Sequence, residues 1–376
     1  MITPRAMRRE SRPVMKKRRA TRQVRAGSLA IGGGAPVSIQ SMTNVPIERV
    51  DETIAQVARL ADRGCQLVRL ALRSAESASL FKKIIPASPV PLCADVHFDH
   101  RIALAALEAG VHKVRINPGN IGSEAGVREV VAAARDRGAP IRIGVNAGSA
   151  DRRRFPEVTP ESLVESAMEH VRILEDNNFH DIVVSIKSSD IPQTIAANEL
   201  FAARRDYPLH VGLTEAGYGL DCAIQSSVAI GHLLLEGIGD TIRVSMTGDP
   251  VEEIPVARKI LESAGERKAR VRIVSCPTCG RTDPDLDILA LAREVDEAVT
   301  ARFEKTMAER DGTLHVAVMG CEVNGPGEAK DADAGLAGIR GGKLLLFARG
   351  GKVKTVEARD AVAELLREIE KLVDGN

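Results

Sequence analysis

The segment PLCADVHFDHRIALAALEAGVHKVRIN, residues 91–117, decides the fold. It opens on a short apolar run at 91–95 and continues through HRIALAALEAG, where apolar residues recur at i, i+3 and i+4. A second apolar run follows at 113–116. A strand, a helix and a strand at that spacing make a parallel βαβ unit. The alternation extends in both directions, with strands predicted near 37–41, 67–71, 141–145, 181–186, 209–213 and 241–245 and helical stretches such as DETIAQVARLADRG and TPESLVESAMEHVRILEDN between them. Eight such units in roughly 230 residues predict an α/β fold, a (β/α)8 TIM barrel over 21–268, with a doubly wound open sheet as the alternative. Ahead of the first barrel strand, TRQVRAGSLAIGGGAPVSIQSM reads as a short hairpin turning at Gly32–Gly34. Those glycines lack G-x-G-x-x-G spacing and a following helix, so they predict a turn rather than a nucleotide site.

The barrel pattern ends near residue 268, and 269–376 reads as a small α+β domain. VRIVS is a strand ending at Cys276, Asp283-Pro284 is read as opening a long helix, and LHVAVMG is a strand ending at Cys321. Strands near 336–340, 343–347 and 352–356 and a helix at 359–373 complete it.

Composition excludes several function classes. No Trp and only two Tyr leave little to stack on bases, and no apolar run reaches the length of a membrane span, so neither nucleic acid nor membrane is expected as a partner. Six Cys in 376 residues, two of them in a C-x-x-C, point to a reducing compartment, the cytoplasm. The net charge of +1 divides unevenly: residues 1–25 hold ten Lys or Arg and one acid, which makes +9 there and −8 in the rest. The first 20 residues are read as a disordered basic arm.

Five predicted strands each carry a cation among apolar neighbours: Arg69, Arg115, Arg142, Lys187 and Arg243. A buried cation is costly unless paired. Residues two apart share a strand face, which groups Arg115 with Asn117, Lys187 with Ser185, Arg243 with Ser245 and Asp95 with His97; Asn146 lies beyond Arg142 on its strand. All lie near the C-terminal strand ends, where a barrel builds its site, and together they describe a pocket for a phosphate or diphosphate. Glu215, in HVGLTEAG, enters the same mouth as an acid or base, and Asp95 and His97 hold substrate hydroxyls or shuttle a proton. No metal is assigned to His97 and His100.

Cys276, Cys279 and Cys321 form an incomplete metal site. A structural zinc takes four Cys or His ligands, whereas three thiolates without a fourth suit an iron–sulfur cluster with one unusual corner. The VNGPGE turn is placed to bring Glu328 to that corner. Cys65, Cys93 and Cys222 read as buried small hydrophobes.

SCPTCGRT, GCEVNGPGEA, ADVHFDHRIAL, VRINPGNIG, IRIGVNAGS, LTEAG and EGIGDTIRVSMTGDPVEE together resemble the bacterial 4-hydroxy-3-methylbut-2-enyl diphosphate synthases of the non-mevalonate isoprenoid pathway, from about residue 20 to the C-terminus. The resemblance implies reductive ring opening of 2-C-methyl-D-erythritol 2,4-cyclodiphosphate with loss of water. It also implies one [4Fe–4S] cluster on Cys276, Cys279, Cys321 and Glu328, and a flavodoxin or ferredoxin as electron donor. Arg69, Arg115, Arg142, Lys187 and Arg243 match that family's diphosphate contacts; Asp95, His97, Asn117, Asn146 and Ser245 match its polar contacts. Glu215 matches its barrel carboxylate and Asn324 a polar residue near the cluster. A head-to-tail homodimer is implied, each barrel capped by the partner's cluster domain. Residues 218–227, YGLDCAIQSS, depart from the family's pattern, with Gln225 where Lys is common. The competing reading is a zinc-stapled barrel that binds a phosphorylated metabolite.

Overall fold

The computed structural model describes residues 16–97, 99–117, 121, 123–149, 157–321 and 331–375. The chain divides into two compact units between Arg267 and Lys268.

The first unit opens with a hairpin, β1 (Val24–Ala26) and β2 (Leu29–Ile31), followed by eight strands: β3 (Ser38–Met42), β4 (Leu67–Ala71), β5 (Leu92–Asp95), β6 (Lys113–Ile116), β7 (Ile141–Asn146), β8 (Ile182–Lys187), β9 (His210–Val211) and β10 (Thr241–Ile242). These eight form one parallel sheet in the order β8-β7-β6-β5-β4-β3-β10-β9, and a parallel bridge between Val184 and Leu209 joins its two ends into a closed barrel. The helices that bear on the site are α1 (Val50–Asp62), α2 (Ala75–Ser79), α3 (Phe81–Ile84), α4 (His100–Glu108), α5 (Glu124–Arg137), α6 (Pro160–Glu175), α7 (Ile191–Arg204), α8 (Gly219–Leu235) and α9 (Glu253–Ser263). Their starts are written in the sequence. Asp99, Ser123, Thr159 and Asp190 cap α4 to α7 by accepting backbone N–H groups, and Pro160 stands in the first turn of α6. One continuous core of Val, Ile, Leu and Ala side chains from strands and helices fills the space between them.

The hairpin turns at Gly27–Ser28, not at Gly32–Gly34: Ala26 pairs with Leu29, which leaves a two-residue loop with Gly27 at φ +59°. The Gly32–Gly34 run comes after β2 and leads the chain to β3. Val24, Ala26 and Ile31 of the hairpin pack on Leu67, Cys93 and Val183 from the starts of β4, β5 and β8, so the hairpin stoppers the N-terminal end of the barrel. The arm expected to be disordered over 1–20 is held where it is described. Lys16 N–H donates to the Leu235 carbonyl, Arg18 pairs with Glu266 at 2.9 Å, and Arg19 donates to the carbonyl of Tyr207 at 2.6 Å. Residues 1–15 lie outside the described residues.

The second unit has a five-stranded sheet in the order β11 (Val271–Ser275), β12 (Leu314–Met319), β13 (Ala334–Ile339), β14 (Lys343–Ala348), β15 (Gly351–Glu357). The first three strands run parallel and the last three antiparallel. Helices α10 (Ile288–Glu309) and α11 (Ala361–Asp374) bury Val295, Val299, Phe303, Leu365 and Ile369 against it. The long helix does not start at Asp283-Pro284. Asp287 caps it, accepting from Ala290 N–H at 2.9 Å, while the Asp283 carboxylate is occupied by the N–H groups of Asp285 and Gly341. No described helix in either unit is long and apolar enough to cross a membrane.

Candidate active site

The barrel register brings the strand-borne cations together. Arg69 pairs with Cys93 and Asp95 with Arg115 across neighbouring strands; Arg115 pairs with Arg142, and Asn146 with Lys187. Arg115, Arg142 and Lys187 are each less than a tenth exposed. Asp95, 6% exposed, is the hub of one group: its Oδ1 accepts from Arg115 Nη1 at 3.2 Å, and Arg69 Nε stands 3.7 Å from its Oδ2. Arg115 Nη1 also donates to His97 Nε2 at 2.8 Å, and Arg115 Nη2 to the Gly144 carbonyl at 3.4 Å. Burial alone would push the Asp95 carboxyl up. Arg69, the His97 hydrogen bond, Arg115 and Arg142 outweigh it and hold the group well below the usual carboxylate range. Gly144 is required here by packing: a Cβ would stand 2.5 Å from Arg115 Nε.

A second group forms around Arg243, whose guanidinium is forked on Glu253, a buried residue opening α9. Met42 lies between the two groups, with Arg69 Nη2 at 2.9 Å and Arg243 Nη1 at 3.7 Å from its sulfur.

Arg142 and Lys187 stand apart from both carboxylates. Among the described residues neither forms an ion pair, and Arg142 Nε and Nη1 have no protein hydrogen-bond acceptor. Burial first, and then the charges of Arg142, Arg243 and Arg69, push the Lys187 ammonium well below its ordinary value. The backbone makes room for it at Gly212, where a Cβ would lie 2.8 Å from Lys187 Nζ and 2.3 Å from the Arg243 carbonyl. An added polyanion would oppose this depression, because it places further negative charge beside the ammonium.

Ser245 is half-buried three residues beyond β10, and Asn117 and Asn146 are half-buried at the ends of β6 and β7. Glu215, in the loop after β9, is exposed and adopts φ +58°. A non-glycine residue held in the left-handed region carries backbone strain of the kind found at functional loops. His100 does not join His97; its ring packs over Gly126, where a Cβ would come within 2.7 Å of it. Cys65, Cys93 and Cys222 are buried free thiols, and burial pushes Cys65 up to about 12.

In the second unit Cys276 and Cys321 leave the same end of two adjacent parallel strands, since Ser275 pairs with Val318. Gly320 N–H donates to Cys276 Sγ at 3.1 Å. A Cβ on Gly320 would lie 2.8 Å from Thr282 Oγ1, so only glycine allows that approach. Cys321 is buried, Cys276 half-buried and Cys279 exposed. The Arg281 backbone N–H, then its side chain, holds the Cys279 thiol below its ordinary value. Among the described residues no three His, Cys, Asp or Glu side chains are gathered closely enough to hold a single metal ion. Asn324 and Glu328 lie outside the described residues.

A GcpE TIM-barrel domain model matches residues 21–258, and a GcpE protein C-terminal domain model matches residues 272–371. The chain belongs to the GcpE family. Its relatives in that family include proteins named 4-hydroxy-3-methylbut-2-en-1-yl diphosphate synthase (flavodoxin). The one from Brevibacillus brevis is 49% identical over 96% of this chain and 98% of its own. Those from Caldanaerobacter subterraneus and Geobacter sulfurreducens are each 48% identical, over 96% and 94% of this chain and 99% and 98% of their own. The match to GcpE runs through both units, so the barrel cations and the three cysteines fall inside it.

Sequence reading missed Glu253 and the two glycines that admit Arg115 and Lys187. Glu253 lies inside the GDPVEEIP stretch, ten residues after Arg243, and its signal was a carboxylate in the first turn of the helix that follows a cation-bearing strand.

Proposed function

We propose that this chain opens 2-C-methyl-D-erythritol 2,4-cyclodiphosphate reductively to (E)-4-hydroxy-3-methylbut-2-enyl diphosphate, two electrons and two protons entering and one water leaving. The observation that carries this reading is the convergence of five cations, four on barrel strands and Arg243 directly after β10, on a patch holding two buried carboxylates, with Arg142 and Lys187 left for an anion. In this reading Arg142 and Lys187 take the diphosphate oxygens and Arg69, Arg115 and Arg243 complete the cage. Asn117, Asn146 and Ser245 orient the carbon skeleton, and Asp95 keeps Arg69, Arg115 and His97 in place. His97, half-exposed, and Glu215, exposed, are the groups placed to move a proton.

Cys276, Cys279 and Cys321, with Glu328, would hold one [4Fe–4S] cluster. The support for this is the chemistry of the donors: three free cysteines, one made more acidic by the Arg281 backbone N–H and side chain and another accepting a backbone N–H at its sulfur, as cluster thiolates do. When bound, such a cluster supplies electrons and a Lewis-acidic iron. Asn324 is proposed as a polar contact near the cluster. Flavodoxin, which the relatives' names carry, is the donor proposed, with ferredoxin as the other candidate.

A homodimer is part of the proposal, each barrel closed by the partner's cluster domain. Its support is the surface of α8. Among the described residues, every exposed large hydrophobic side chain of the barrel unit lies between Tyr218 and Leu235. Leu220, Ile224, Val228 and Leu235 fall on one helix face with Gly231, which has open space at its Cα.

The deciding experiment is anaerobic turnover of the cyclodiphosphate with a reduced one-electron donor, alongside iron and acid-labile sulfide analysis. Turnover with iron and sulfide in near-equal amounts is expected. Stoichiometric zinc without sulfide would leave the zinc-stapled reading in its place.

A further inference from the structure

Glu253 is 2% exposed at the start of α9, and its carboxylate is saturated with donors. Oε2 accepts from Ser41 Oγ at 2.7 Å and from Arg243 Nε at 3.2 Å; Oε1 accepts from Arg243 Nη2 at 3.0 Å and from Met246 N–H at 3.2 Å. The fork therefore uses the Nε–Nη2 edge of Arg243 and leaves Nη1 outside it, donating at 3.7 Å to the Met42 sulfur that Arg69 also touches. Ser41 comes from β3 and Met246 from the loop after β10, so one carboxylate ties together a strand, a loop and the guanidinium between them. A bidentate arginine–carboxylate pair fixes a plane as well as a distance.

We propose that Glu253 is a positioning residue for substrate binding: it locks the plane of Arg243 so that Nη1 faces the anion. The inference rests on the reading of Arg243 as a diphosphate contact. A carboxylate beside a substrate cation has two opposite effects, and their signs separate the roles. If Glu253 acted only through its charge, removing that charge would raise the positive potential of the mouth and tighten binding of a polyanion. If it positions Arg243, neutralising it frees the guanidinium and weakens binding, by about tenfold or more for a lost charge-assisted fork.

The test is anaerobic calorimetric titration of the holoenzyme with the cyclodiphosphate, for the wild type, Glu253→Gln, Glu253→Asp, Arg243→Met and the Glu253→Gln/Arg243→Met pair, each checked for a native melting transition. Glu253→Gln is expected to weaken binding about tenfold or more, to raise KM by a similar factor and to leave kcat nearly unchanged, because the contact exists in ground and transition states alike. Glu253→Asp should recover part of the loss. In the Arg243→Met background the Gln substitution should add nothing, since the residue it positions is gone. Tighter or unchanged binding by Glu253→Gln, with Arg243→Met weakened, overturns the positioning role. Wild-type binding by Arg243→Met overturns instead the reading of Arg243 as a substrate contact. If Glu253→Gln does not fold, Ser41→Ala takes its place: it removes one donor that holds the carboxylate, and a rise in KM at constant kcat is the supporting result, an unchanged KM the opposing one.

Discussion

Replacing Lys113 by methionine should stabilise the barrel most at low pH, because the lysine is buried with no counter-ion among the described residues. Lys113 is fully buried on the inner face of β6, two residues before Arg115, and its Nζ has no protein hydrogen-bond partner. Burial first, then Arg142 and Arg69, lower its ammonium from 10.5 to about 7, with only Cys93 opposing. A lysine depressed on folding binds fewer protons folded than unfolded, so its destabilising effect is full below about 7 and fades as pH rises towards 10.5. At about 1.36 kcal/mol per pH unit the drop corresponds to roughly 5 kcal/mol, and about 3 kcal/mol of it should vanish between pH values of about 6 and 9.5. Methionine keeps the unbranched length and carries no charge to bury. Urea unfolding of wild type and Lys113→Met at both pH values gives the difference directly. A gap that is the same at both, or a Lys113→Met protein less stable near pH 6, would refute the argument that an uncompensated charge sits there.

Asp95→Asn should behave in the opposite sense. The folded carboxyl is held low, so its contribution is present above the unfolded value of about 3.9 and is lost as pH falls through that value towards the folded one; the stability gap to wild type should be constant from about pH 8 to 5 and narrow in acid. The same variant should raise KM, since Arg69, Arg115 and His97 lose their common anchor. On the outer surface, Leu220→Glu with Ile224→Glu should turn a dimer into a monomer in sedimentation velocity without unfolding it; a dimer that persists would remove α8 from the interface.

The elements were legible because period and length agree in this chain: the apolar runs at 67–71 and 113–116 coincide with β4 and β6, and that at 141–145 falls one residue short of the end of β7. What misled was local punctuation. Three glycines at 32–34 outweighed the single Gly27, although the register needs only a two-residue turn, and Asp283-Pro284 looked like a helix start although its carboxylate is spent on the loop. The cations were legible one at a time as charges inside apolar runs. Their division into anchored and free was not, because it depends on cross-strand register and on a carboxylate from a helix ten residues downstream. Lys113 shows the same limit: HKVRIN places two cations on one strand face, and the sequence pattern alone gives no reason to weigh the deeper one.

The charge count of the mouth explains why the anchored cations and the free ones belong to one device. Arg69, Arg115, Arg142, Lys187 and Arg243 gather in one mouth with Asp95 and Glu253, so five basic side chains share two carboxylates among residues that are mostly buried. At an effective dielectric constant of about 20, two like charges ~5 Å apart repel by about 3 kcal/mol, and the fold must meet that cost without a ligand. Asp95 and Glu253 reduce it where they pair, which is why Arg69, Arg115 and Arg243 can be held in fixed orientations. Arg142 and Lys187 form no ion pair among the described residues, and Lys187, where burial and the neighbouring cations outweigh the charge of Glu253, is held below its ordinary value. In the proposed reading a diphosphate would bring at least two negative charges to these positions and remove the repulsion as it binds. The repulsion built in on folding would thus become affinity for a compact polyanion, and a neutral or monoanionic analogue of the same shape would gain little from it.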